Sequence, residues 1–136
     1  MNKKKRITTI IVTMAMLCMM AMSALADTNV VVTLPENQVW TSSMPVPRSG
    51  AYSYVWVSCD AVYPLYGTDN FSRIQTRLVN SEETLIMEDD FVILKEGDGY
   101  QEIYIMEGYL GLETVYIQFR GNIYKGAEAV VNYEGL

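Results

Sequence analysis

Sixteen carboxylates, ten tyrosines, two tryptophans and no histidine set the chemistry open to this sequence. Without an imidazole there is no Ser-His or Cys-His nucleophile pair and no His-ligated zinc or iron centre. Carboxylate pairs remain, and glycoside hydrolysis needs only two acids facing each other across a cleft. Most acids here sit in turn-like stretches: Glu82-Glu83, Glu88-Asp89-Asp90 and Glu96 with Asp98 read as solvated hairpin tips. Asp60, inside an alternating apolar run, and the nearby Asp69 are the one pair that a small glycan hydrolase would use. A chain of 136 residues seldom encloses a cleft deep enough for that work, so a non-catalytic protein is expected.

Calcium is the other use for acidic turns, since a hard cation takes about six or more oxygen ligands. Glu96-Gly97-Asp98-Gly99-Tyr100-Gln101-Glu102 offers oxygens at alternate positions but lacks the complete Asp-x-Asp-x-Asp-Gly loop. No metal site and no cofactor are therefore expected. Gly97 and Gly99 do not make a phosphate loop, because neither a basic residue nor a helix follows them. Of the two cysteines, Cys18 falls in a leader segment and Cys59 stands alone beyond it, so no internal disulfide forms. Apolar strand neighbours favour a buried Cys59 over a thiol that pairs between chains.

The leader has three parts. Met1-Asn2-Lys3-Lys4-Lys5-Arg6 is cationic, Ile7 to Met22 is apolar, and Ser23-Ala24-Leu25-Ala26 precedes Asp27. That is the layout of a secretory signal peptide, with Ala24 and Ala26 at the small-residue positions of the cleavage site. Cleavage between Ala26 and Asp27 is expected, giving a signal peptide over 1–26 and a single domain over 27–136, exported by a Sec-type route to the outside of the cell. The stretch from Ile7 to Ala26 just reaches the length of about 20 residues that spans a bilayer, but an uncleaved anchor has no use for so well placed a cleavage site. The mature chain would lose Lys3, Lys4, Lys5 and Arg6 and keep six basic against sixteen acidic residues. A field of that sign repels phosphate backbones and anionic lipid, so neither nucleic acid nor membrane is an expected partner.

Beyond the leader, apolar and polar residues alternate in short runs broken by Gly, Pro, Asn and Asp, which is a β pattern. Strands are expected at 29–34, 38–40, 51–62, 71–79, 84–87, 91–95, 101–106, 115–119 and 127–133. Their spacing suits an all-β fold, a small two-layer antiparallel β-sandwich, with hairpins at turn-prone breaks such as Glu96–Gly99 and Gly121-Asn122. Segments 41–50 and 63–70 are expected as longer loops, and Met44-Pro45-Val46-Pro47 within the first is extended but barred from a central ladder. The layout resembles small exported β proteins of Gram-positive bacteria, a likeness of size and leader type that transfers no residue role.

Side chains alternate along a strand, so each run divides into two faces. Val55, Val57, Cys59 and Ala61 oppose Tyr52, Tyr54, Trp56, Ser58 and Asp60. Ile103 and Ile105 oppose Tyr104; Val115, Ile117 and Phe119 oppose Tyr116; Ile74, Thr76 and Leu78 oppose a solvated row of Arg73, Gln75 and Arg77. If the aliphatic rows fill the core, Tyr52, Tyr54, Trp56, Tyr104 and Tyr116 project outward and supply a ligand-binding surface, because such rings combine apolar area with a polar edge. Tyrosine also favours strands for its own sake, so only a contiguous patch distinguishes a site from ordinary sheet surface. The expected role is binding of an extracellular glycan or protein; a self-associating envelope protein is the alternative.

Overall fold

The computed structural model describes residues 26–65 and 71–136. The expected signal peptide up to Leu25, with Ala24, lies outside these residues, as does Asp69. Among the described residues there are eight strands: β1 (Ala26–Leu34), β2 (Met44–Pro47), β3 (Tyr54–Pro64), β4 (Arg73–Val79), β5 (Val92–Lys95), β6 (Gln101–Tyr104), β7 (Thr114–Gly121) and β8 (Ala127–Gly135). They form two four-stranded antiparallel sheets, ordered β1-β8-β3-β6 and β2-β7-β4-β5. Ala26 and Asp27, the residues flanking the expected cleavage point, open β1 opposite Glu134 and Tyr133.

The aliphatic rows meet between the sheets, as their alternation requires. Val55, Val57 and Ile103 from one sheet and Leu78, Ile117 and Phe119 from the other are completely buried. Each such side chain contributes about 1.5–3 kcal/mol relative to exposure, and the core is contiguous. One row departs from strict alternation. A register shift between Cys59 and Ala61 turns Ala61 outward opposite Val130 and brings Val62 to the core side opposite Ala129. A β-bulge of this kind changes which face the next residue occupies, and period-two counting does not see it.

The connections correct the expected hairpins. β4 and β5 are the one pair of consecutive strands that are also neighbours in a sheet; at every other step the chain passes to the opposite sheet. The Glu96–Gly99 turn, with positive φ at Gly97 and Gly99, leads from β5 in one sheet to β6 in the other. It is tied back to both: Glu96 N–H donates to Ser72 O (2.8 Å) and Gly97 N–H to Cys59 O (2.9 Å). Turn residues reverse a chain equally well within a sheet or between two sheets.

Two expected strands are absent. The 38–40 segment instead follows a 3₁₀ turn at Glu36–Gln38, with Asn37 and Gln38 at positive φ. Gln38 Nε2 donates to Asn122 O (3.0 Å) and holds this corner against the segment after β7. Within 84–87 only Leu85 bridges, to Val79, because the Asn80 side-chain oxygen captures the N–H groups of Glu82 and Thr84 in a local turn (2.9 Å each). Conversely, β2 forms inside the segment expected as a loop. It pairs with β7 alone, as two prolines without N–H donors dictate for an edge strand.

Candidate functional site: an aromatic platform on one sheet

The outer face of the β1-β8-β3-β6 sheet gathers most of the predicted rings. Antiparallel pairing sets Tyr54 opposite Tyr104, and Trp56 lies between Glu102 on β6 and Glu134 on β8. Ring centroids of Tyr52 and Tyr54 are 5.4 Å apart, those of Tyr54 and Tyr104 5.5 Å, and those of Tyr54 and Trp56 6.3 Å. Tyr100 extends the chain of rings, 5.9 Å from Trp56. Tyr52, Tyr100 and Tyr104 are more than half exposed, with Tyr54 and Trp56 half-buried between them. Such spacings are those of offset and edge-to-face pairs, which hold one another in place.

Tyr100 was not among the expected residues, though Tyr100, Glu102 and Tyr104 share one parity and a glycine turn returns Tyr100 over β3. Tyr116 does not belong to the group. It lies on β7, in the other sheet, between Pro45 of β2 and Val79 of β4. Its alternation with buried valine and isoleucine matches that of Tyr104, and only sheet membership separates them.

The platform is anchored from below. Arg48 is buried; its Nη1 donates to the carbonyls of Leu110 (3.1 Å) and Leu112 (2.9 Å), and its Nη2 to Tyr52 O (2.6 Å). Ile105 N–H donates to Ser53 O (2.8 Å). The segment carrying Tyr52 is thus fixed before β3 begins. A groove of about 460 Å³ continues from Tyr104 and Glu102 around the β6 edge, lined also by Met87, Glu88, Asp89 and Met106.

Electrostatics on this face are uniformly acidic. Glu102, Glu128 and Glu134 project from it, and among the described residues its strands carry no lysine or arginine. Tyr104 Oη donates to Glu102 Oε2 at 2.6 Å. That hydrogen bond, with the charge of Glu102, raises the Tyr104 phenol above its ordinary value, and desolvation with the same carboxylate raises Tyr54. Both phenols therefore stay neutral donors beyond the usual tyrosine range. Glu102→Gln removes the shared cause, so in a spectrophotometric titration part of the phenol absorbance should move to lower pH than in the unaltered protein. Superimposable titration curves would mean that the carboxylate does not govern these rings.

The remaining chemical candidates resolve differently. Cys59 is buried with its Sγ directed at Ala61 O (3.5 Å), and burial pushes its thiol up to about 11. The thiolate fraction at pH 8 is then roughly one in a thousand. Cys59 should resist a thiol-specific reagent in the folded protein at pH 8 and react fully once unfolded in urea; complete labelling of the folded form would contradict this placement. Asp60 is exposed on the bulge. Glu96 accepts the Val62 N–H (2.9 Å), which gives that carboxylate a structural use. Among the described residues no three His, Cys, Asp or Glu side chains converge on a metal position, and no helix is long and apolar enough to cross a membrane.

The row of Arg73, Gln75 and Arg77 on the other sheet is not simply solvated. Gln75 and Gln118 are buried, and Trp40 lies over Arg77 and Arg120, each guanidinium carbon 4.3 Å from the indole centroid. No family model, curated protein or solved structure matches this chain. The functional reading accordingly rests on where the side chains stand.

Proposed function

We propose that this is an exported, non-catalytic β-sandwich, released by cleavage after Ala26, that binds a neutral extracellular glycan across Tyr52, Tyr54, Trp56, Tyr100 and Tyr104. The observation that carries the reading is the unbroken run of ring contacts from Tyr52 to Tyr100, all on one outer face. Sugar rings present apolar C–H faces edged by hydroxyls. Aromatic faces take the former, and phenol, Glu102 and Glu134 oxygens take the latter.

Protein-binding surfaces concentrate their energy in a fully desolvated apolar centre. Here carboxylates and phenols interleave with the rings, which suits a polyhydroxylated ligand better. Among the described residues the strands of this face carry three glutamates and no lysine or arginine, which favours a neutral chain over an anionic one. Self-association through a Cys59 bridge is disfavoured because that thiol is buried. Electrophoresis through gels containing neutral β-glucan, xylan or mannan tests the proposal. Retardation by at least one of them, lost in Trp56→Ala with its fold intact, is expected; free passage of the unaltered protein through all of them would remove the glycan reading.

A further inference from the structure

The cations are concentrated on the sheet opposite the platform. Of the six basic residues after position 26, Arg73, Arg77, Lys95 and Arg120 project from β4, β5 and β7, alternating with buried Ile74, Thr76, Leu78, Leu94 and Phe119. Two of them are built into a frame. Arg77 pairs in register with Gln118, and Arg120 with Gln75. Arg77 Nε donates to Gln118 Oε1 (2.8 Å) and Arg120 Nε to Gln75 Oε1 (2.5 Å). The glutamines are themselves held: Gln75 Nε2 donates to Asn122 Oδ1 and Gln118 Nε2 to Ser43 Oγ, both at 3.1 Å. Trp40 lies against both guanidinium groups and Phe91 against that of Arg120.

This frame satisfies each Nε and fixes each guanidinium plane, but supplies the η nitrogens with no acceptor among the described residues. Two like charges are held together, and the neighbouring Glu83 carboxylate is engaged by Ser43 Oγ (3.2 Å) and Gln118 Nε2 (3.4 Å). Desolvation and the proximity of Arg120 both push the Arg77 guanidinium below its ordinary value, with Glu83 acting in the opposite sense.

We propose that Arg77 and Arg120, steadied by Gln75, Gln118 and Trp40, form a binding site for an oxyanion, either the carboxylate of an acidic sugar or a phosphate group. A guanidinium edge carries parallel N–H donors matched to two oxygens of such a group, and it is weakly hydrated, so exchange of water for an anion costs little. An anion shared by two guanidiniums also offsets their repulsion, which Glu83 counters only in part and at Arg77. The site is on the sheet opposite the aromatic platform and does not depend on the glycan reading.

The test is a titration of the ¹⁵N-labelled protein at low ionic strength, following the Nε–H resonances of Arg77 and Arg120 and the Trp40 indole N–H. Sodium glucuronate and sodium phosphate are added separately, with sodium chloride as the reference. Saturable shifts at all three resonances with glucuronate or phosphate, and not with chloride, are expected, and the tighter of the two identifies the source of the oxyanion. Arg77→Gln should weaken the saturable shift at Arg120 on the order of tenfold or more, and Arg120→Gln does the same at Arg77, so one well-folded variant suffices. Shifts that rise linearly and match chloride would reduce the guanidiniums to a cover for Trp40 and overturn the proposal. It also falls if the resonances ignore both anions but move with protein concentration, because carboxylates of a second copy would then be the occupants.

Discussion

Gly135→Ala is expected to lower the melting temperature by about 10 °C or more, although glycine and alanine differ by one methyl group. Gly135 closes β8, where that strand passes under β2, and a Cβ built on it would overlap the carbonyl oxygen of Pro47 while standing 3.1 Å from Val46 Cγ1. The obstacle is backbone, which has no rotamer to escape into. To admit the methyl, β2 must move away from β8, and β2 carries Val46, which is completely buried in the core. Overpacking of this kind typically costs about 1–3 kcal/mol, and the rigid obstacle places this case at the upper end. For a domain of this size each kcal/mol is worth about 4–8 °C in Tm. A circular-dichroism melt decides it: a Tm within a degree or two of the unaltered protein would show that β2 yields freely and that the sheets are not locked at this corner.

Tyr54→Ala combined with Trp56→Ala should lower affinity for the retained polysaccharide about 100-fold while Tyr116→Ala leaves it unchanged. Tyr54 is the hub of the platform, in ring contact with Tyr52, Trp56 and Tyr104, and Trp56 joins it to Tyr100. Removing both breaks the run of rings into isolated tyrosines. Central aromatic residues of a binding surface each cost on the order of 1–2 kcal/mol or more on truncation, and about 2.8 kcal/mol corresponds to 100-fold. Both rings are half-buried on the outer face, so the double variant also loses some stability. Binding is therefore to be measured well below its melting temperature, by affinity electrophoresis or calorimetry. Undiminished affinity would dismiss the platform, and an equal loss in Tyr116→Ala would mean that the wrong sheet had been assigned the site.

Much of the architecture was legible from alternation. The period-two rows at Val55/Val57, Ile103/Ile105 and Val115/Ile117/Phe119 all face the interior, because burial of one face is the only arrangement that removes those side chains from water at once. The exclusion of Met44–Pro47 from a central ladder followed from the loss of two N–H donors at Pro45 and Pro47, whereas its pairing with β7 as a strand was not legible in a segment expected as a loop. Misreadings occurred where local chemistry leaves the outcome open. A glycine-rich turn does not say whether the next strand stays in its sheet, and the bulge at Cys59–Ala61 exchanged the faces of Ala61 and Val62 without a warning in composition.

The candidate site divides in the same way. By itself the sequence determined the absence of imidazole chemistry, the outward direction of Tyr54, Trp56 and Tyr104, and the inward direction of Cys59, since these depend only on residue identity and on alternation within one strand. Tertiary structure alone decided that Tyr104 and Tyr100 join β3 while Tyr116 lies on the far sheet, that Trp40 covers two arginines, and that Glu102, Glu128 and Glu134 stand on one sheet and Arg73, Arg77, Lys95 and Arg120 on the other. The physical reason is that strand partners are chosen by long-range burial of whole faces, and that choice is written in no single segment of the chain.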